Sequence, residues 1–337
     1  MTSGDQAVFV ETAARLHFGV LDLRGERGRW FGGIGASAPG PTLLLEATAA
    51  STLDVGGEDA VRATAFARRF LDHYGIRGGG RLHIHRALPS HAGLGSGTQL
   101  ALAVARALGE LHGIEADAPA LARAVGRARR SAIGTWTFAG GGLVVEGGRR
   151  RDEESCGPLL ARLALPASWQ CVVAVPGVPP AISGDAEEVA FSELPPPAER
   201  DVERVAHLVL MALLPAAADG DLQGFGAALS EIQLVTGRWF APAQGGTFAP
   251  GASERLVRSM SEWGATGVGQ SSWGPSVYGI VDGEDRGRAL AAHVRAGLGD
   301  NGAVYDGAFR STGADVWRAA ATIAAPQPTH ERSVIEP

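Results

Sequence analysis

Pro89-Ser90-His91-Ala92-Gly93-Leu94-Gly95-Ser96-Gly97-Thr98-Gln99 is the stretch on which the fold of this 337-residue chain turns. The run Arg81 to Leu88 before it reads as a strand. The run after it places Leu100, Val104, Leu108 and Leu111 on one helical face. Strand, glycine loop and helix start together make a phosphate-binding context. Gly93, Gly95 and Gly97 let the backbone come close to a ligand. The free N–H groups and positive dipole end of the helix then face an anion. Ser96 and Thr98 add hydroxyls that can bond phosphate or ligate Mg²⁺. The same residues also suit a tight turn with a Ser or Thr N-cap; the flanking strand and helix favour phosphate. Ser90, Gly93, Gly95, Ser96, Gly97 and Thr98 are the candidate contacts.

Working outward, the next informative stretch is Gly126-Arg127-Ala128-Arg129-Arg130-Ser131-Ala132-Ile133-Gly134-Thr135-Trp136, continuing to Gly148. Its glycines predict a loop feeding a strand. The arginines suit a solvated helix end or, beside a Gly/Ser/Thr loop, an anion site; Arg130 and Ser131 are the candidates. A later glycine loop, Gly267-Val268-Gly269-Gln270-Ser271-Ser272-Trp273-Gly274-Pro275, precedes the strand Ser276 to Val281. Gly269 and Ser271 are its candidate phosphate contacts. Trp273 either stacks on an aromatic substrate or packs in the core. At the N-terminus, Ala7 to Leu23 reads as one or two strands. A strand pair follows, Arg29 to Ser37 and Thr42 to Ala47, broken by Pro39-Gly40-Pro41. Further along, Pro119 to Arg130 reads as a helix, Arg149 to Glu154 as a solvated hairpin turn, and Ser183-Gly184 of the proline-rich run Val178 to Pro197 as a ligand contact. A helix from about Glu199 is expected to end near Pro215, another runs from about Asp221 to Val235, and Trp239 to Phe248 reads as a substrate-facing loop.

Three of these stretches carry a family resemblance. The first resembles the second motif of the GHMP kinase superfamily, Pro-x-x-x-Gly-Leu-Gly-Ser-Ser, with Gly97-Thr98-Gln99 in place of Ser-Ala-Ala. Arg130-Ser131, Ile133-Gly134, Phe138 and the following glycine pair are similar to the signature of the β-ribofuranosylaminobenzene 5′-phosphate synthases, non-kinase members of that superfamily. The opening Arg15-x-His17-Phe18-Gly19, then Asp22, then Arg29 before Gly32-Gly33-Ile34-Gly35, resembles the start of the same family. The resemblance implies an α+β, two-lobed GHMP-kinase-like fold. A ribosomal-protein-like N-terminal lobe would cover 1–170 and a ferredoxin-like C-terminal lobe 171–325, with a disordered tail at 326–337 and the site in the cleft between the lobes.

The resemblance also implies a reaction. 4-Aminobenzoate and 5-phosphoribosyl diphosphate would give the β-ribofuranosylaminobenzene 5′-phosphate, CO₂ and diphosphate, a step of tetrahydromethanopterin synthesis. Asp22 and Arg29 are the candidates for the reaction centre, His17, Trp136 and Trp273 for substrate contact, and Ser96 and Asp22 for holding Mg²⁺. A GHMP kinase places a general-base aspartate shortly before the Gly-Gly strand. Here Gly134-Thr135-Trp136 stands there, and no carboxylate lies between Ser131 and Gly142. The rival readings are an ATP-dependent small-molecule kinase and an inactive ligand sensor.

Composition bounds the rest. The formal net charge of −6 argues against a general nucleic-acid binder. No apolar run is long enough to span a bilayer, and no export signal is expected, since no N-terminal run combines a basic start, an apolar middle and a small-residue cleavage site. Cys156 and Cys171 read as reduced thiols of a cytoplasmic protein. A homodimer is expected. The chain contains no lysine, so cationic contacts to phosphate fall to arginine, histidine, backbone N–H or metal.

Overall fold

The computed structural model describes residues 6–150, 153, 156–178, 189–190 and 193–322. Ser183-Gly184, expected at the ligand, and the tail from 326 lie outside the described residues. So do Arg151, Asp152 and Glu154 of an expected hairpin turn.

The first sheet is built on two long antiparallel strands, β1 (Gln6–Asp22) and β2 (Arg29–Ala50). Most of β1 is buried, on both faces of the sheet. The sequence predicts a break in β2 at Pro39-Gly40-Pro41, yet β2 is one strand of 22 residues. The prolines are tolerated because residues 38–41 pair with no neighbour on either side. β1 skips from Ser37 to Thr42, and the strands on the other edge pair only with 29–30, 33–36 and 44–50.

β3 (Leu53–Gly57), α1 (Ala60–Tyr74) and β4 (Gly79–Arg86) follow. α1 buries Ala63, Phe66, Ala67, Phe70 and Leu71. The glycine loop leads into α2 (Ser96–His112), which is buried on almost every side, not on the one face its leucines suggest. Its alanines let neighbouring elements close in all round it.

α3 (Ala118–Ala124) starts on an Asp117 carboxylate that accepts from the Ala120 N–H at 2.8 Å. It stops well short of the expected Arg130, because Gly126 and Ala128 take left-handed φ of 70° and 63°. Residues 125–132 become a loop. Where a loop was expected, α4 (Ile133–Gly140) forms, burying Ile133, Thr135 and Phe138. β5 (Leu143–Glu146), β6 (Arg149–Arg150) and β7 (Leu159–Leu163) complete this side.

The second sheet opens with β8 (Trp169–Pro176). α5 (Glu199–Leu208), a π turn (Val209–Leu213) and α6 (Leu214–Asp219) run on continuously where the sequence predicts a stop at Pro215. The widened π turn makes room for the proline ring. α7 (Leu222–Gln244) carries Pro242 in its last turn and takes up half of the loop expected at 239–248. α8 (Ala252–Glu262), β9 (Thr266–Gln270), β10 (Val277–Asp282), α9 (Glu284–Leu298) and β11 (Gly302–Ala308) finish the lobe. Its order, β11-β8-β10-β9 and antiparallel throughout, is ferredoxin-like.

A final strand that the sequence did not reveal, β12 (Asp315–Ala320), crosses back and pairs with β1. The chain thus ends in the first sheet, although these residues fall in the range expected for the second lobe. One core cluster runs from Leu45, Phe70 and Leu100 to Trp169, Phe225 and Tyr278, so the lobes share an interior. Among the described residues no helix is long and apolar enough to cross a membrane, and both cysteines are unbridged.

Candidate active site

β1 positions the centre of the site. Its pairing with β2 shifts register between Ala13 and Arg15 and again between His17 and Gly19. Bulges of this kind re-aim side chains. The stretch between them is stitched to loops of both lobes. The Arg15 N–H donates to the Leu94 carbonyl at 3.0 Å, and Arg15 Nη1 donates to the Gly93 carbonyl at 2.5 Å. The His17 N–H donates to Ser271 Oγ at 2.9 Å, and Ser271 Oγ donates to the Gly93 carbonyl at 2.7 Å. Gly93 has a φ of 76°, and a Cβ there would collide with the Ser271 carbonyl. Its glycine is needed for loop-on-loop packing.

A cavity of about 540 Å³ lies between the glycine loop with the start of α2, the 126–131 loop, α1 and residues 272–274. Six arginines line it: Arg15, Arg62, Arg69, Arg127, Arg129 and Arg130. Among the described residues no carboxylate does. Arg127 donates to Thr98 Oγ1 at 3.1 Å, which draws the arginine loop onto the start of α2. Gln99 is fully buried; its Oε1 accepts from Thr12 Oγ1 at 2.7 Å and its Nε2 donates to the Gly134 carbonyl at 2.9 Å. The departure from the usual motif thus ties α2 to β1 and α4.

Beside the cavity opens a recess of about 90 Å³, lined by Arg15, His17, Val20, Phe31, Gly32, Arg130, Ser131, Phe240, Ser272 and Trp273. Arg15, Arg130, Ser131, Ser272 and Trp273 belong to both spaces. Phe240 meets Trp273 edge-on at 4.9 Å, so Trp273 is at once buried and a wall of the recess. Among the described residues five non-glycines have a left-handed φ, and four of them, Phe31, His91, Ala128 and Ser272, line the cavity or the recess. Such backbone costs on the order of 1–3 kcal/mol per residue and clusters where function requires it.

Of the residues named from sequence, Gly93, Gly95, Ser96, Gly97, Thr98, Arg130, Ser131 and Trp273 line the cavity, and His17 lines the recess. Ser90 stands just behind, accepting from Arg62 Nη2 at 3.0 Å. Ser271 does not line the cavity; it clamps the two loops. Gly269 lies within β9, packed under Gln233 and Tyr278. Trp136 turns away, donating from Nε1 to the Gly157 carbonyl at 2.8 Å. Asp22 and Arg29 are not brought to either space. Asp22 Oδ1 accepts from the N–H groups of Arg24 and Gly25 and holds the turn after β1. Arg29 is exposed and donates to the Gly148 carbonyl at 2.9 Å.

Sequence reasoning missed Arg15, Arg62 and Arg69, as well as Phe31; Phe240 falls within the 239–248 stretch read as substrate-facing. The absence of lysine was the signal that arginine must supply the charge.

A protein-held Mg²⁺ does not fit this donor set. Such a site normally takes one or two carboxylates. Among the described residues the cavity offers the hydroxyls of Ser96, Thr98, Ser131 and Ser272 and the His91 ring but no carboxylate, Asp22 is engaged in its turn, and there is no cluster of three His, Cys, Asp or Glu.

Two buried titratable groups flank the recess. Burial, helped by the Arg15 charge, pushes His17 down to about 3, so its imidazole is neutral. Glu146 lies behind the recess, accepting from the N–H groups of Ala132 at 3.2 Å and Gly148 at 2.7 Å. Burial outweighs those bonds and raises it to about 7.

Comparison with known proteins agrees with this architecture. A family model described as GHMP kinases N terminal domain matches residues 61–141, and one described as GHMP kinases C terminal matches residues 213–300. The beta-ribofuranosylphenol 5′-phosphate synthase of Methanothermobacter thermautotrophicus is 36% identical over 298 residues, covering 82% of this chain and 89% of that one. Its counterpart from Archaeoglobus fulgidus is 33% identical over 286 residues, covering 81% and 87%. Among solved structures, homoserine kinase from Cytophaga hutchinsonii superposes with a TM-score of 0.65 at 16% identity, over 94% of this chain and 99% of that one. That likeness shows the fold alone. The chain belongs to the GHMP kinase superfamily and, within it, to the family of the β-ribofuranosylphenol 5′-phosphate synthases.

Proposed function

We propose that this chain is a decarboxylating phosphoribosyltransferase, joining 5-phosphoribosyl diphosphate to the carboxylate-bearing ring carbon of 4-aminobenzoate with loss of CO₂ and diphosphate. The observation that carries the reading is a cavity lined by six arginines and, among the described residues, by no carboxylate, opening beside an aromatic recess. The relatives' names specify a phenol product; the amino acceptor is our own reading.

The chemistry suits these residues. As diphosphate departs, the ribosyl carbon becomes oxocarbenium-like, and the electron-rich ring attacks it. CO₂ then leaves and aromaticity returns. No enzyme nucleophile or base is required. The backbone N–H groups at the start of α2, with Arg127 beside them, stabilise the leaving diphosphate. Arg15 and Arg130, which face both spaces, hold the benzoate carboxylate at the junction. The recess orients the ring toward the ribosyl carbon and keeps water away.

A kinase reading lacks its base: fully buried Thr135 occupies that region and lines neither space. The two readings separate in one assay. Diphosphate is expected only when phosphoribosyl diphosphate and a 4-substituted benzoate are both supplied. Production of ADP from ATP and a small alcohol, without diphosphate formation from the first pair, would overturn the proposal.

A further inference from the structure

The proposed reaction uses Arg15, Arg127 and Arg130, half of the cavity's six arginines. Arg62 is already matched, its Nε donating to the two carboxylate oxygens of Asp59 at 2.8 and 2.9 Å. Arg69 and Arg129 remain. Both also line a neighbouring trough of about 660 Å³, which carries His73 and Arg123 as well.

The cavity therefore has two junctions. Arg15, Arg130, Ser131, Ser272 and Trp273 join it to the recess, and Arg69, Gly126 and Arg129 join it to the trough. Recess and trough have no described residue in common, so the junctions mark two separate ends.

Arg69 is seated as the inner arginines are, against a glycine. A Cβ on Gly95 would stand 2.9 Å from Arg15 Cγ, and one on Gly97 would stand 3.1 Å from Arg127 Nη2. At the other end a Cβ on Gly126 would stand 3.3 Å from Arg69 Nη1. That nitrogen donates to the Val125 carbonyl at 3.4 Å. Among the described residues the Arg69 side chain makes no other hydrogen bond and no ion pair, so the rest of its donor fork is left for a ligand. The nearby carboxylate, Asp72, lines the trough and not the cavity. An anion on the cavity side of Arg69 thus meets no negative side chain among the described residues, whereas one on the trough side does.

We infer that Arg69, seated on Gly126 and with Arg129 lining the same junction, forms a second anion subsite, for a phosphomonoester, at the end of the cavity away from the recess. The inference rests on the function proposed above, in which that group is the 5-phosphate of the ribosyl donor. The donor carries an anion at each end of its sugar. Its anomeric carbon has to face the recess and its diphosphate the start of α2, so its 5-phosphate points to the remaining junction. A guanidinium grips a phosphate with two parallel hydrogen bonds. A sugar held by both ends keeps its anomeric carbon in line with the attacking ring.

The test uses half-ligands. Ribose 5-phosphate is titrated by calorimetry into protein saturated with diphosphate, with ribose and inorganic phosphate as comparisons. Wild type is expected to bind ribose 5-phosphate without displacing diphosphate, and more tightly than it binds ribose or phosphate. Arg69→Gln should weaken that binding roughly 10- to 100-fold and leave diphosphate affinity unchanged. Arg69→Lys keeps the charge without the fork and should fall between the two. In turnover, Arg69→Gln should raise KM for the donor and leave KM for the benzoate as it was. Arg69 is exposed, so both variants are expected to melt as wild type does.

Displacement of diphosphate by ribose 5-phosphate, equal loss of both ligands in Arg69→Gln, or loss of neither would overturn the inference. So would inorganic phosphate that binds as tightly as ribose 5-phosphate, which marks a site for free phosphate and not for the donor. Binding as expected, in a protein that releases no diphosphate from phosphoribosyl diphosphate and a 4-substituted benzoate, would leave the subsite standing and sink the proposed function.

Discussion

Arg130 shows what a single residue contributes here. It lines both the arginine cavity and the aromatic recess, and a guanidinium can grip a carboxylate with two parallel bonds. Lysine keeps the charge and loses that geometry. Arg130→Lys is therefore expected to raise KM for the benzoate about tenfold, an effect of about 1.4 kcal/mol, with the thermal midpoint unchanged. A steady-state titration of the acceptor measures it.

Glu146 makes a second residue-level case. Its folded-state pKa, about 7, exceeds the ordinary 4.5, so the folded protein holds the proton more tightly than the unfolded chain. The stability this supplies is complete below the unfolded value and is lost as pH rises through about 7. It amounts to roughly 3 kcal/mol at 1.36 kcal/mol per unit. Thermal midpoints between about pH 5 and about pH 8 should fall in wild type and stay flatter in Glu146→Gln. Thr135 is a third. Its buried hydroxyl has no partner among the described residues, so Thr135→Asp buries a bare charge. The expected result is a loss of several kcal/mol in stability and no kinase activity, read by melting and by ADP formation.

Among the elements, bulged β1 is the joint. Through Arg15 and His17 it holds the glycine loop of one lobe and the 271–274 loop of the other, and Ser271 Oγ closes the triangle. Ser271→Ala deletes two bonds among buried groups and is expected to cost about 1–3 kcal/mol. It should also raise KM for the phosphoribosyl donor, because Gly93 and the start of α2 lose their register. Denaturant unfolding and donor kinetics on one preparation check both.

At this scale the sequence was legible where a pattern is local. The strand, glycine loop and helix of β4 and α2 could be read because turn glycines and helical periodicity sit side by side. α4 could not, since Gly134 and Gly140 to Gly142 speak for a loop and only packing under β5 makes a helix. Arg62 and Arg69 look like the solvated face of an amphipathic α1 until the 126–131 loop is folded across them. Arg15 sits in a strand whose bulges leave no mark in the residue types.

For the whole molecule, two sheets with a shared core hold one cationic cavity and one aromatic recess side by side across the lobe boundary. The ferredoxin-like order of the second lobe followed from family resemblance; residue pattern alone gave only helices and strands. The return of β12 to β1 was illegible, because a short strand after an apparent last strand has no partner signal of its own. The meeting of the two spaces at Arg15 and Arg130 is a product of topology, with partners up to 254 residues apart such as His17 and Ser271.

The claim that these spaces form one site, where a benzoate is ribosylated at its carboxylate carbon, is tested most directly with carboxyl-labelled 4-aminobenzoate. Labelled CO₂ is expected in step with diphosphate, one for one, and only when phosphoribosyl diphosphate is present. Diphosphate release with the label retained in the product, or no release of label at all, would contradict it.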